Sequence, residues 1–311
     1  MTKVLITGVA GFIGSKVANR FLSEGIEVVG VDDLSSGFID NVPSGVSFIQ
    51  LDLSSKSEIS KLPSDCAAIL HLAGQSSGEI SFDNPVLDLN KNAVSTLNLI
   101  HHAQKTSIKQ FLYASSMSVY GPVDDSPIQE STLCGPISCY GVSKYTSEQY
   151  LKIYSVQVPF TIMRMFNVYG PGQDMNNMRQ GMVSIFLSQA IRDGNILAKG
   201  ALNRFRDFIY IDDVVEAWYR ATFNHQCINK TINIGTGVRT TVLDLINEIK
   251  KLASVGAVEE VGSTPGDQTG IYADSSLMIE ILGMSELTPL ERGLDAFYQW
   301  ALIADKKRRS M

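Results

Sequence analysis

The chain opens on a short, wholly apolar and largely β-branched run, Val4-Leu5-Ile6-Thr7, the pattern of a strand covered on both faces inside a parallel sheet. Five more such runs follow, Ile26 to Val31, Val46 to Leu51, Ala67 to Leu72, Ile108 to Ala114 and Phe160 to Met165. Helical spacing lies between them. Val17, Phe21 and Leu22 follow the first run; Val94, Leu97 and Ile100 fall in a stretch that Asn84-Pro85 opens; and a further helix is expected over 140–155. Six strands alternating with helices predict an α/β, doubly wound parallel sheet.

After Met165 the alternation breaks. A helix is expected from about Val183 to Arg192, strand character returns at Phe205 to Ile211, and Asp212-Asp213 starts a helix running to Phe223. Thr231 to Ile234 reads as a short strand, Val242 to Leu252 as a helix, Ser275 as the start of another, and Thr288-Pro289 as the opening of the last. The organisation expected is a dinucleotide-binding domain of residues 1–166 plus about 205–234. A smaller, discontinuous domain of about 167–204 plus 235–311 would close over a substrate.

Composition narrows the class. With 311 residues, 44% hydrophobic, 19% charged and a net charge of −6, the chain reads as an ordinary globular protein with no nucleic-acid partner. No run approaches the roughly 18 apolar residues of a membrane span, and a cytoplasmic protein is expected. Cys66, Cys134, Cys139 and Cys227 form no CxxC pair, which fits free thiols in a reducing compartment. Nothing in sequence supplies Cys139 with a base. His101-His102 are adjacent and unaccompanied, so no metal site is expected. Lys306-Lys307-Arg308-Arg309 suits the C-terminal end of a helix.

Candidate chemistry begins directly after the first strand. In Gly8-Val-Ala-Gly11-Phe12-Ile13-Gly14 the glycines serve a tight turn, close approach of backbone to a pyrophosphate, and close packing of helix on strand. The second strand ends in Asp32-Asp33-Leu-Ser35-Ser36-Gly37. Asp32 stands where a carboxylate reaches an adenosine ribose and would repel a 2′-phosphate. No Lys or Arg follows until Lys56, which favours NAD over NADP. Asp52-Leu53 ends the third strand near the adenine position, and Leu72-Ala73-Gly74-Gln75 ends the fourth beside the cofactor. The fifth delivers Ser115-Ser116 to the carboxyl edge. Tyr140 and Lys144 lie four apart on one helix face. Proximity of the ammonium should lower the phenol's pKa, making Tyr140 a general base.

Taken in order, Gly8-x-x-Gly11-x-x-Gly14, Asp32, Asp52-Leu53, Ser115-Ser116-Met-Ser-Val-Tyr-Gly121, Tyr140-x-x-x-Lys144, Asn167-Val-Tyr-Gly-Pro-Gly172 and Arg206-Asp-Phe resemble the extended short-chain dehydrogenase/reductase family. Within it, the likeness is to the NAD-dependent nucleotide-sugar epimerases and dehydratases, over Lys3 to roughly Ala296. The resemblance implies a Rossmann-type NAD domain. It implies Tyr140 as base, Lys144 as its modulator and ribose ligand, and Ser116 as partner of the reacting sugar hydroxyl. Asn92 would fall near the cofactor end of the site. Asn167 and Arg206 would hold a nucleotide diphosphate, Asp267 would lie by the nucleotide ribose, and a UDP-sugar is the favoured substrate. Relatives pair as homodimers through helices corresponding to 85–105 and 140–155.

Similar dehydratases and decarboxylases place a carboxylate just after the catalytic hydroxyl. Here Met117 and Ser118 follow Ser116, which leaves hydride and proton movement at one carbon: epimerisation at C4 through a 4-keto sugar. The alternatives are an NAD(P)H-dependent 4-keto-sugar reductase, then a dehydratase or a non-catalytic NAD-binding protein. Two departures from similar epimerases stand out. Thr264 replaces an arginine, so one phosphate contact is missing or is supplied by Arg204 or Arg179, and Ser76 replaces a lysine; Ile271 stands where similar epimerases have a residue that gates the sugar's C2 substituent.

Overall fold

The protein is described by a computed structural model over residues 3–106, 108–263, 265–266 and 268–309. Strand β1 (Lys3–Thr7) leads through the glycine turn into helix α1 (Phe12–Ser23), and β2 (Glu27–Asp32), β3 (Ser47–Gln50) and β4 (Ala68–His71) follow. Next come the short helices α2 (Gly78–Ser81) and α3 (Pro85–Leu89), one π-helical turn over Asn90–Val94, and α4 (Ser95–Ala103). Strand β5 (Gln110–Ser116), helix α5 (Cys139–Ile153) and β6 (Phe160–Met165) complete the expected six strands.

Beyond them run β7 (Asn167–Tyr169), α6 (Met182–Arg192), β8 (Ile196–Lys199), β9 (Phe205–Arg206), β10 (Phe208–Tyr210), α7 (Ile211–Phe223) and β11 (Lys230–Ile234). The chain ends with β12 (Thr240–Thr241), α8 (Val242–Leu252), β13 (Val258–Val261), β14 (Gly270–Ile271), α9 (Ser276–Leu282) and α10 (Leu290–Arg309).

Seven strands form the central sheet in the order β11-β6-β5-β4-β1-β2-β3, every pair parallel. This is the Rossmann-type doubly wound sheet that the apolar runs predict, with β11 as a seventh strand. Alternate residues of the strands feed two cores. Val4 and Ile6 pack with Phe21 and Trp218 on one face, while Leu5 and Ile69 pack with Leu99, Ile100 and Leu151 on the other. Coverage of both faces is why these strands carry almost no polar positions. After β3 the chain returns to the opposite side of β1, so a crevice opens between the carboxyl ends of β1 and β4, where ligands bind in such sheets.

The structure departs from the sequence reading in three places. Strand β5 runs two residues past Ala114, so Ser115 and Ser116 pair with Arg164 and Met165 instead of following the strand. The long helix after Pro85 is interrupted by the π turn, where Asn92 is 1% exposed; such turns are frequent at functional sites. The run over 205–211 divides at Asp207. Its buried carboxylate accepts from the N–H groups of Thr236, Gly237 and Ala273, bonds that alternation cannot foretell. Among the described residues no helix is long and apolar enough to cross a membrane.

Candidate active site

A cavity of about 920 Å³ fills the crevice. Its floor is the glycine turn. Gly8 has φ +71°, and a Cβ there would stand 2.7 Å from the backbone nitrogen of Ala73; a Cβ on Gly14 would stand 2.0 Å from the Gly8 carbonyl oxygen. Only glycine allows β1, α1 and the end of β4 to close this tightly. Gly11 caps α1 without a side-chain acceptor, and Phe12 and Ile13 of that first turn line the cavity. This is the arrangement that receives a pyrophosphate. Leu72, Ala73 and Gln75 reach the wall beyond it. Gly74 is demanded there as well: a Cβ would meet Asn92 Oδ1 at 2.3 Å and Lys144 Nζ at 3.4 Å.

At the end formed by β2 and β3, Asp32 Oδ2 accepts from Ala10 N–H at 3.0 Å and Oδ1 from Leu34 N–H at 2.9 Å. Burial pushes this carboxyl above its usual range against those two bonds, and neighbouring Asp33 adds to the rise. Asp33 and Asp52 are both engaged by Lys91, which sequence reasoning passed over. Ser35, Ser36, Gly37 and Leu53 complete this wall.

The opposite wall carries Ser116, Tyr140 and Lys144, three buried polar side chains that face the same cavity. The polar N-cap Ser138, whose hydroxyl accepts from Gly141 N–H at 3.0 Å, starts α5 so that Tyr140 falls in its first turn. Lys144 Nζ donates to the Ala114 carbonyl at 2.9 Å and lies 5.7 Å from the Tyr140 ring centre. Burial pushes Lys144 down to about 8, with the Asp88 carboxylate opposing. Burial likewise pushes the Tyr140 phenol up to about 12, with the Ser116 hydroxyl easing the rise. The acidified phenol expected from sequence is therefore corrected. In so dry a place the cost of desolvating a phenolate dominates, and the Asp88 carboxylate adds to it.

Behind this wall lie two polar clusters. Asp88, 1% exposed, accepts from Gln75 Nε2 at 3.0 Å, Asn92 Nδ2 at 3.1 Å and Ser143 Oγ at 2.6 Å. Asn92, whose amide also donates to Ser143, does not reach the cavity wall. Its Oδ1 is buried without a partner among the described residues, turned toward Gly74. Ser115 reaches the cavity, yet its hydroxyl donates away from it, to Glu148 Oε1 at 2.5 Å, and Glu148 in turn receives Arg164 through two nitrogens. Recurrence at every fourth residue, Tyr140, Lys144, Glu148, was the sequence signal for this second cluster.

On the remaining side Asn167 lines the cavity and donates to the Asp207 carbonyl at 2.9 Å. Arg206 is 3% exposed and not on the wall; its guanidinium donates to the carbonyls of Phe205 and Gln268. Arg179 is salt-bridged to Glu79 and Asp83, and Arg204 donates to the Ala201 carbonyl. Asp267 and Thr264 lie outside the described residues. Ile271 is corrected. It is 1% exposed and packed with Tyr120, Phe166 and Ala273, because pairing of β14 with β9 turns it into a small core and off the cavity wall.

Residues 4–235 match the family described as NAD dependent epimerase/dehydratase. The UDP-glucose 4-epimerase of Mycolicibacterium smegmatis is 32% identical over 305 residues, covering 94% of this chain and 96% of that protein. The UDP-glucose 4-epimerase of Thermotoga maritima, solved with UDP-glucose, superposes with a TM-score of 0.93 at 32% identity, covering 97% of this chain and 99% of that one. The UDP-glucuronic acid 4-epimerase of Bacillus cereus, solved with UDP-glucuronic acid and NAD, gives 0.89 at 28% identity over 97% and 100%. A glycine turn under a switch-point cavity, with a serine, a tyrosine and a lysine buried along one wall, thus occurs in a chain that belongs to the NAD-dependent epimerase/dehydratase family.

Proposed function

We propose that this enzyme interconverts UDP-sugars differing at C4, with UDP-glucose and UDP-galactose as the first pair to test. One observation carries the reading: Ser116, Tyr140 and Lys144 line the same cavity as the dinucleotide turn, while Met117 and Ser118, the next residues lining it, offer no carboxylate. Elimination of water needs a further acid and base at the neighbouring carbon, and Met117 and Ser118 supply neither.

The glycine turn, Asp32 and the ends of β4 and β5 would hold NAD, which would supply reversible hydride chemistry and, in its oxidised form, a cationic nicotinamide ring. Tyr140 takes the proton of the 4-hydroxyl and later returns it to the carbonyl oxygen, so no proton is consumed. Lys144 keeps an ammonium beside that exchange, and Ser116 holds the sugar oxygen in line. A phenol near 12 is a poor base by itself; a cation in the cleft favours its ionised form.

Asn167 and residues of 167–204 and 235–311 would form the nucleotide-sugar side, with Arg206 acting from behind the wall and Asp267 as the proposed partner of the nucleotide ribose. A homodimer is the proposed assembly. Val86, Leu87 and Leu89 on α3 and Val142 and Ile153 on α5 leave apolar side chains exposed on the helices that would pair, and sedimentation tests it. All four cysteines are free, which supports a reducing, cytoplasmic setting.

The deciding experiment incubates the purified protein, without added cofactor, with UDP-glucose, UDP-galactose, UDP-glucuronic acid, UDP-GlcNAc and the corresponding dTDP- and GDP-sugars. NMR and mass spectrometry follow the products. The expected result is a C4 epimer of unchanged mass from a UDP-sugar. Loss of water or carbon dioxide, or turnover only with added NADPH, would replace this reading by a dehydratase, a decarboxylase or a reductase.

A further inference from the structure

Asp-Leu-Ser-Ser occurs twice in this chain, at 33–36 after β2 and at 52–55 after β3. The two copies make the same Asp-to-Ser hydrogen bonds, although Leu34 takes a φ of 60° and Leu53 does not take a positive φ. Asp33 Oδ1 accepts the Ser35 N–H at 2.8 Å and its hydroxyl at 2.6 Å; Asp52 Oδ1 accepts the Ser54 N–H at 2.9 Å and its hydroxyl at 2.8 Å. In each copy the second carboxylate oxygen turns to the same ammonium, Lys91 Nζ. It makes close contact with Asp33 Oδ2 and lies 2.9 Å from Asp52 Oδ2.

Lys91 comes from the π turn after α3, across the crevice from both strands, and lines the cavity with all three aspartates. Its side chain is 19% exposed, that of Asp33 22% and that of Asp52 40%, so the contacts are shielded from water and salt more than an open surface pair is. Burial works against all three charges, yet the mutual attraction prevails. Asp33 and Asp52 titrate below, and Lys91 above, their ordinary ranges.

Asp32 sits beside this clasp and, among the described residues, is held by backbone N–H groups. Three carboxylates and one ammonium leave this end of the cavity with a net charge of −2. A ribose diol can donate to Asp32, whereas a 2′-phosphate of nearly two negative charges is repelled. A lysine here would ordinarily attract that phosphate. We infer that Lys91 is a cofactor-selecting residue: gripped by the twin Asp-Leu-Ser turns, it ties the ends of β2 and β3 around the adenosine site while its charge is withheld from a 2′-phosphate.

The test needs no sugar, so its outcome is separate from that of the substrate reading. Protein loaded with NADH is challenged with NAD⁺ or NADP⁺, and displacement is read from the loss of nicotinamide fluorescence. Asp33→Asn keeps an oxygen for the Ser35 turn and removes one of the two carboxylates that grip Lys91, leaving its ammonium held by Asp52 alone. It should lower the NADP⁺ concentration for half-displacement about tenfold or more, the worth of one charge-assisted contact, and leave NAD⁺ within about threefold. Adding Lys91→Met to Asp33→Asn should abolish the NADP⁺ gain. Lys91→Met alone should weaken NAD⁺ about tenfold, because Asp33 and Asp52 then repel each other and the anionic cofactor. Lys91→Gln serves the same comparisons if the methionine variant fails to retain dinucleotide. A gain in NADP⁺ that persists without Lys91, no gain in Asp33→Asn, or undiminished NAD⁺ binding without Lys91 would each overturn the inference.

Discussion

At the adenosine end of the cleft, Lys91 keeps about a fifth of its side chain in water and holds two carboxylates within hydrogen-bond reach. At the chemical end, Lys144 is 4% exposed and its ammonium donates to a carbonyl. The same functional group is driven in opposite directions. Ion pairing outweighs desolvation at Lys91 and raises its pKa, whereas desolvation outweighs the attraction of Asp88 at Lys144 and brings it to about 8. The adenosine end therefore carries fixed charge and selects a ligand, while the chemical end keeps charges poised for a proton to move.

The first way to break this contrast is at Tyr140. Tyr140→Phe removes the proton acceptor with little change in the shape of a side chain that is 9% exposed, and kcat should fall by up to about 10⁴-fold while NAD stays bound. Stopped-flow or NMR assay of the loaded protein measures it, and near-normal turnover would remove Tyr140 from the mechanism.

Next is the dry ion pair behind the same wall. Arg164, 2% exposed, meets Glu148, 0% exposed. Arg164→Leu should lower stability by about 3–5 kcal/mol, since it strands a buried carboxylate. Denaturant titration gives the value, and Glu148→Gln in the same chain should restore part of it. A loss no larger than that of a surface pair would mean that dryness is not what separates the two ends.

Lys144 gives a smaller, pH-dependent effect. Its folded pKa, about 8, lies below the 10.5 of the exposed group. Between those values the unfolded chain holds a proton that the folded chain has shed, so stability contributed by this group rises with pH across the window. Below pH 8 the cost is present in full, about 3 kcal/mol for a shift of that size. Comparing the stability of wild type and Lys144→Met from pH 7 to 10.5 isolates the contribution. A difference that does not change across the window would contradict a depressed lysine.

The smallest effect is expected where water is plentiful. Arg239 pairs with Asp125 with side chains 39% and 54% exposed and lies over the Phe205 ring, and Arg239→Ala should change stability least of these variants. Thermal unfolding at low and high salt would show whether exposed pairs here are as weak as the contrast requires.

Much of the site could be read from local patterns. The glycine turn, Asp32 and the Tyr140 to Lys144 spacing are contiguous or one helical turn apart, so the chain itself places them. Asp88, Lys91 and Arg164 had no such signal, and Glu148 had only its place one helical turn past Lys144, because what they do depends on partners brought together by the fold. Glu148 reaches Arg164 only after β6 pairs with β5, and Lys91 meets Asp33 and Asp52 only after the chain crosses back over β1.

By itself, then, the sequence determined the alternation of strands and helices, the dinucleotide turn and the placing of a phenol and an ammonium on one helix face. Periodicity and backbone preference act over a few residues, and no distant contact is needed to express them. Tertiary structure alone decided that Ile271 faces a small core, that the phenol's pKa rises and does not fall, and that one lysine closes over two turns of the same sequence. These depend on depth from water and on which charges end up within a few ångströms, and both are fixed only when the sheet and its helices have packed.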